Sequence, residues 1–410
     1  MTIAPTRSAS GRWPGLDAVP SGLRAGVSSA VARRLFLGAV DGLDVTVHVG
    51  ADTYGRGGPA MTVHRPEELY ARLGRDGLIG FGEAYLTGAW TSADLTGFLT
   101  ELAANVADLI PRPLQRARAL VQRRTPRAHR TTTDRTRDLI AHHYDLSNDL
   151  FGLFLDESLS YSSALFDGDP DEPLVLAQHR KIDRLLDEAG VGRGTRVLEI
   201  GTGWGELAIR AASRGATVHT VTLSSEQQAL ARQRVATAGL SDRVTIELCD
   251  YREIHGEFDA VLSVEMIEAV GHDYWPTYFR TIDRLLAPGG RAAIQAIVMP
   301  HDRMLATRGS FTWINKYIFP GGFLPSAQAI DEVTAQHTSL RVTNRLAFGA
   351  DYAETLRRWD EAFLEAEGQV RLLGFDETFV RMWHFYLCYS RAGFASGYLD
   401  VQQLTLERPA

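Results

Sequence analysis

The second half of the chain alternates short apolar runs with longer stretches in which apolar residues recur every three or four positions. The runs Thr195–Ile200, Thr217–Thr222, Val244–Leu248, Phe258–Ser263 and Arg291–Ala296 are too short for helices and read as strands. Between them, residues 205–214, 225–238 and 274–286 carry the helical period, and Asp138–Phe154 and Asp183–Leu186 lie in further helices. Strands alternating with helices over ~100 residues imply a mainly parallel sheet with helices on both faces. The expected fold is α/β, a Rossmann-like doubly wound sheet, with a small accessory domain in front of it.

That front part is patterned differently. Residues 1–60 are rich in Gly, Ala and Arg, with an amphipathic helix near Leu23–Leu37 and strand-like alternation over Val45–Val49. A helix should begin at Arg65-Pro66-Glu67-Glu68, because proline suits a first turn and acids suit a helix N-terminus. Gly77–Gly82 reads as a tight glycine-punctuated segment leading into Ala84–Trp90, and Leu95–Leu109 as a closing helix. Pro111–Pro126 then forms a linker. The expected organisation is residues 1–125 as an accessory domain with its basic linker, and residues 126–410 as the main domain.

With 410 residues, 45% hydrophobic and 23% charged, the chain has the composition of a globular protein with a full core. No apolar run approaches the ~20 residues that cross a bilayer, and the N-terminus has no signal-peptide h-region, so a cytoplasmic location is expected. Cys249 and Cys388 sit in apolar segments without metal-ligand spacing and read as buried thiols; no metal site is expected. The net charge of −7 hides nine arginines between Arg112 and Arg137 against one acid, Asp134. Such a run is either a solvated linker or a patch for anionic lipid headgroups. No nucleic-acid module accompanies it, so nucleic acid is not expected as a partner.

The strongest motif is Val197-Leu-Glu-Ile-Gly201-Thr-Gly203-Trp-Gly205, a strand entering a glycine-rich turn and then a helix. Glycines there let the backbone bend and a ligand press against main-chain amides. The spacing differs from the dinucleotide pattern, and Glu199 stands two residues before the first glycine. An acid in that place suits S-adenosylmethionine, which carries an ammonium and a sulfonium instead of a pyrophosphate. Thr222 and Gln227, after the second strand, are candidates for ribose or adenine contacts. Asp250 can accept from the adenine amino group, with Tyr251 packed on the ring. Pro288-Gly-Gly290 supplies a turn before the last of these strands.

The flanking segments His143-Tyr-Asp-Leu-Ser-Asn-Asp-Leu-Phe151, Tyr161-Ser-Ser163, Val264-Glu-Met-Ile-Glu268, Val270-Gly-His272 and Tyr317-Ile-Phe-Pro-Gly-Gly322 resemble the cyclopropane-fatty-acyl-phospholipid synthase family. The resemblance runs from about residue 138 to 405, and Gly80–Tyr85 with Gly88-Ala-Trp90 is similar to the accessory domain of the full-length bacterial enzymes. The wording is most like the actinobacterial branch that builds 10-methylene groups, precursors of tuberculostearic acid, from oleoyl chains. The resemblance implies that a cis alkene attacks the sulfonium methyl and that the resulting cation loses a proton to a base. It implies a bicarbonate ion as that base, held by Ser163, Glu268, Gln295, Ile297 through its backbone, and Tyr352. Ser163 stands where many relatives have Cys, and Gln295 where many have His; both can still donate hydrogen bonds. Tyr161 and Ser162 are expected at the methionine end of the cofactor, and His143 and Tyr144 in a lid helix. Glu265 either orients Glu268 or is a strand-end acid, and His272 is expected to be structural. Aromatics from Phe379 to Phe394 form a core helix or line an acyl tunnel.

The implied product is a 10-methylene chain, which would need a separate reductase partner, or alternatively a cyclopropane. The accessory domain is expected to dock peripherally on anionic bilayers at the inner face of the membrane, or to pair two subunits. A small-molecule N- or O-methyltransferase would not need the accessory domain, the basic linker or Tyr317–Gly322. A non-catalytic lipid-binding protein would not need the glycine turn together with Glu268 and Tyr352.

Overall fold

The computed structural model describes residue 13, residues 15–105 and residues 147–410. The arginine-rich linker and the segment bearing His143 and Tyr144 lie outside these residues. The chain divides into two compact units, Met1–Pro126 with Gly309–Ile318 and Leu356–Tyr398, and Arg127–Arg308 with Phe319–Thr355 and Leu399–Ala410.

In the first unit, strands β1 (Thr46–Val49), β2 (Asp52–Tyr54), β3 (Ala60–Val63) and β4 (Trp90–Ser92) form a sheet in the order β2-β1-β3-β4. Helices Leu23–Val40, Pro66–Asp76, Leu78–Leu86 and Leu95–Ala104 belong to the same unit. The glycine-punctuated segment is helical after Gly77 breaks the chain with φ 59°. Its glycines serve close packing: a Cβ on Gly80 would lie 1.9 Å from the Arg72 carbonyl oxygen, and one on Gly82 would strike the Trp313 indole at 2.6 Å. Buried Glu83 accepts from the Tyr317 hydroxyl at 3.0 Å and from the Lys316 ammonium, which ties the helix Trp313–Tyr317 into this unit.

The unit takes in two distant segments that a single boundary near residue 125 leaves out. The helix Glu377–Ala395 buries Phe379, Met382, Trp383, Phe385, Tyr386 and Phe394, a set too wide for one face, so it needs cover from several sides. Phe385 packs 5.2 Å from Tyr85 and 4.8 Å from Trp313, ring centre to ring centre, whereas Tyr389 of the same run is 41% exposed. Cys388 is a buried thiol 3.5 Å from Asp360 Oδ2 and 3.6 Å from His384 Nδ1.

The second unit is built on β5 (Arg196–Ile200), β6 (Thr217–Thr222), β7 (Val244–Leu248), β8 (Phe258–Val264), β9 (Leu286–Val298), β10 (Arg341–Ala347) and β11 (Asp400–Glu407), in the order β10-β11-β9-β8-β5-β6-β7. β5 to β9 pair in parallel, whereas β11 is antiparallel to both β9 and β10. β9 begins earlier than expected and takes in the Pro-Gly-Gly turn as a shift of register against β8. One core layer gathers Ile182, Leu185, Leu207, Ala211 and Val235. The other gathers Trp275, Tyr278, Phe279, Ile282 and Ile330, so both faces of the sheet are covered. The order of strands reverses at β5, and the crevice outside the carboxyl ends there is where open α/β sheets bind ligands. Among the described residues no helix is long and apolar enough to cross a membrane.

Candidate active site

The carboxyl ends of β5, β6, β7 and β8 bring the expected cofactor residues to one edge of the sheet. Gly201, Gly203 and Gly205 adopt φ of 97°, 50° and 93°, values that side chains rarely tolerate. A Cβ on Gly203 would meet nothing within 4 Å, which leaves the turn open to a ligand. Glu199 is buried beneath it, its Oε2 has no hydrogen-bond partner among the described residues, and burial pushes its carboxyl up to about 8. An orphaned buried carboxyl beside an open glycine turn fits a ligand that carries positive charge.

Thr222 donates to Gln227 Oε1 at 2.9 Å, and Ser224 caps the following helix through the Gln227 amide. Asp250 is committed more tightly than expected: it accepts from Arg252 Nε at 2.8 Å and Nη2 at 2.5 Å. Arg252 is therefore a site-edge residue that the sequence reading missed. Tyr251 lies edge-on to Tyr278 with 5.8 Å between ring centres. Tyr161 packs on Phe151 at 5.1 Å, and Ser162 accepts from the Lys181 ammonium at 2.6 Å.

The second cluster forms where β8 ends. Glu265 holds φ 50°, a left-handed conformation that costs a non-glycine residue about 1 kcal/mol or more and needs surrounding structure to keep it. That structure is a ring of donors. Oε1 accepts from the Ser163 amide at 2.9 Å and from Gln295 Nε2 at 2.8 Å, and Oε2 accepts from the Tyr352 hydroxyl at 2.7 Å. Three expected site residues thus converge on an acid that the sequence left open between two roles. Ser163 contributes its main-chain amide, because its hydroxyl donates to the Ala164 carbonyl.

Glu268, one turn further on, accepts from the Ile297 amide at 2.6 Å, so that amide is engaged by a side chain of this chain. Its Oε2 is buried without a hydrogen-bond partner among the described residues. Burial, and then the charge of Glu265, push its carboxyl up to about 8. His272 packs against Trp275 and Phe323, with 4.8 and 6.0 Å between ring centres, as a structural residue would.

Lys181 was not anticipated. It is buried in the helix Leu174–Glu188, and burial lowers its ammonium to about 8 against the opposing pull of Glu265 and Asp156. A lysine on the apolar stripe of a helix, four residues from Ala177 and from Leu185, was the available signal. Gln403 was missed as well. It faces Gln295 across the β9–β11 ladder, donates to Gln295 Oε1 at 3.1 Å and so aims the Gln295 amide group at Glu265.

The sequence pattern of the mycolic acid cyclopropane synthetase family matches residues 131–404. The chain belongs to this family. It is 53% identical to the tuberculostearic acid methyltransferase UfaA1 of Mycobacterium tuberculosis, over 97% of this chain and 96% of the relative. It is 34% identical to the cyclopropane-fatty-acyl-phospholipid synthase of Escherichia coli, over 85% of this chain and 88% of that one. Among solved structures, mycolic acid cyclopropane synthase CmaA1 complexed with SAH and CTAB superposes with a TM-score of 0.62 at 31% identity, covering 66% of this chain and 98% of the other. This member of the family is an S-adenosylmethionine-dependent methyltransferase, and S-adenosylmethionine is its cofactor.

Glu199 and the glycine turn would hold that cofactor, which supplies an electrophilic methyl group when bound. A cationic ligand favours the Glu199 carboxylate over the acid, so binding at pH 7 should release protons. Calorimetry in buffers of different ionisation enthalpy should detect this release in the wild type and find it reduced in Glu199→Gln. In the free protein the raised Glu199 carboxyl retains a proton between about 4.5 and 8 that the unfolded chain has lost. Its contribution therefore makes stability fall as pH rises through that window, and Glu199→Gln should flatten the trend in thermal melts.

Proposed function

We propose that this enzyme transfers the methyl group of S-adenosylmethionine to the cis double bond of an unsaturated phospholipid acyl chain, oleoyl in type, giving a 10-methylene branched chain. The observation that carries the reading is the buried acid pair Glu265 and Glu268 at the sheet edge that also bears the glycine turn. Alkene methylation places positive charge on carbon, and desolvated carboxylates oppose such charge far better than water-exposed ones. The relative named as a tuberculostearic acid methyltransferase supports the methylene product. The relative named as a cyclopropane-fatty-acyl-phospholipid synthase favours cyclopropane closure as the second reading.

Labelled methyl from S-adenosylmethionine should enter phospholipid, and its absence there would sink the proposal. Mass spectrometry after mild hydrogenation separates the products, because a methylene gains two hydrogens and a cyclopropane resists. A methylene product calls for a separate reductase.

The bicarbonate ion of the family resemblance would draw on Ser163, Gln295, Ile297, Glu268 and Tyr352. In this chain the Ser163 amide, the Gln295 amide group and the Tyr352 hydroxyl donate to Glu265, and the Ile297 amide donates to Glu268. The residues present do not fit the ion, because its donors are already engaged.

Peripheral docking on anionic bilayers, at the inner face of the membrane, is part of the proposal. The helix Leu23–Val40 differs from the amphipathic pattern expected of it. Phe36 and Val40 face the protein, yet Leu23, Val27, Val31 and Leu35 are 93%, 70%, 53% and 39% exposed at every fourth position. A helix that is apolar on both sides calls for cover. Arg24, Arg33 and Arg34 are exposed, with no acid anywhere in the helix, which suits anionic headgroups and opposes a symmetric pairing of two copies. Val27→Glu with Val31→Glu should weaken binding to anionic vesicles about tenfold in flotation assays. Unchanged binding would exclude this face, and dimers that dissociate in the variant would assign it to subunit pairing.

A further inference from the structure

The groups that the family resemblance assigns to a bound anion surround a carboxylate that belongs to the chain. Glu265 takes the Ser163 amide and the Gln295 amide group on one oxygen and the Tyr352 hydroxyl on the other, at 2.7–2.9 Å. A carboxylate presents the same planar pair of oxygens as bicarbonate, so one set of donors can serve either but not both. The backbone supports the placement. Glu265 is one of two non-glycine residues with positive φ among the described residues, and its own amide is held by the Gln295 carbonyl at 2.8 Å. Strain at an acid inside a ligand-shaped ring of donors is retained only where neighbours over-determine it.

We propose that the Glu265 side chain occupies the bicarbonate position, so that this enzyme carries its base covalently and works without the ion. The role as base rests on the acyl-methylation reading above. In that step the alkene π pair forms the new bond to the methyl carbon while the carbon–sulfur pair returns to sulfur, leaving a cation on the acyl chain. A 1,2-hydride shift then carries the charge onto the methyl-bearing carbon, and Glu265 accepts a proton from the new methyl group; without the shift the same proton loss would close a cyclopropane. The C–H pair becomes the new carbon–carbon bonding pair, and the carboxylate becomes a carboxylic acid that later yields its proton to solvent. Burial supports proton acceptance by making this carboxyl more basic than an exposed one, while the Lys181 ammonium opposes that rise.

The test compares full-length wild type, Glu265→Gly and Glu265→Gln in carbon-dioxide-free buffer, with and without added bicarbonate. Glycine suits φ 50° and opens the position, whereas glutamine fills it without charge. Wild-type methyl transfer should change less than about twofold on bicarbonate removal. Glu265→Gly should fall about a hundredfold and regain at least about tenfold with millimolar bicarbonate or formate, while Glu265→Gln falls without rescue. Carbon-13 NMR of labelled bicarbonate, which needs no lipid, should show line broadening with Glu265→Gly and none with wild type. The proposal is overturned if wild type slows without bicarbonate, if wild type binds the labelled ion, or if Glu265→Gly keeps full activity. Should the glycine variant fail to fold, the wild-type arms and the glutamine variant still decide. Should no lipid ever take up label, the acyl-methylation reading fails while the NMR arm still reports on the anion position.

Discussion

Glu268→Gln is expected to lower kcat by about 10²–10³-fold while leaving S-adenosylmethionine affinity within about twofold. The amide keeps an oxygen that can accept from the Ile297 amide, now 2.6 Å from Oε1, so the loop after β8 should hold its shape. What disappears is the negative charge that ionisation places on Oε2, which is buried and has no hydrogen-bond partner among the described residues. A charge left bare at such a site costs folding energy unless something positive arrives, and the proposed acyl cation is that partner. The pH profile carries a second signature. Burial and Glu265 push the Glu268 carboxyl up to about 8 in the free enzyme, so kcat/KM should rise with pH toward that value. The residual activity of the glutamine variant should lack this limb. A variant retaining more than a tenth of wild-type kcat would remove Glu268 from the chemistry.

The sheet was legible because its signal is local. β6 and β7 fall on the limits that their apolar runs predict, and β5 and β8 differ by one residue at one end. Thr217–Thr222 and Val244–Leu248 are short segments rich in β-branched residues and closed by polar turns, which marks them as strands from local sequence. The division into units was not legible. Helix Glu377–Ala395 belongs with residues some 300 positions earlier, and nothing in its own pattern names Tyr85 as a neighbour. Helix Leu23–Val40 shows the opposite difficulty: its helical character is legible, but Leu23, Val27, Val31 and Leu35 lie exposed while Phe36 and Val40 face the protein.

In the site, residue types were legible and partners were not. Glu268, Gln295, Ile297 and Tyr352 lie 27, 2 and 55 positions apart in sequence, and only the crossing of β8, β9 and the helix Gly349–Glu365 brings them together. Periodicity cannot express that the Glu265 side chain folds back onto donors from three other segments. It equally cannot show that the Ser163 hydroxyl turns to Ala164, leaving the main-chain amide to do the binding. Lys181 was visible as an apolar-face lysine, yet its meaning depends on Glu265, which lies 84 positions away.

That dependence yields the second large effect. Lys181→Met should lower kcat/KM roughly ten- to a hundredfold at pH 7 and displace the acidic limb of the pH profile upward by about 1–3 units. Burial raises the Glu265 carboxyl, and the Lys181 ammonium is the largest influence acting against that rise. Methionine fills a similar volume without charge, so the Glu265 carboxyl would rise further, hold its proton more tightly and weaken both as an acceptor and in its charge-assisted bonds. Raising the pH re-ionises it, so activity should recover in alkaline buffer, a recovery that simple misfolding would not give. Stability moves by a separate route. In the wild type Lys181 binds its proton less readily folded than unfolded, with a folded value of about 8 against 10.5. Its contribution therefore makes stability rise with pH across that interval, and thermal melts of Lys181→Met should lose this rise. An unshifted limb together with unchanged activity at pH 7 would show that Lys181 supports only the Ser162 loop, through its 2.6 Å hydrogen bond, and not the charge of Glu265.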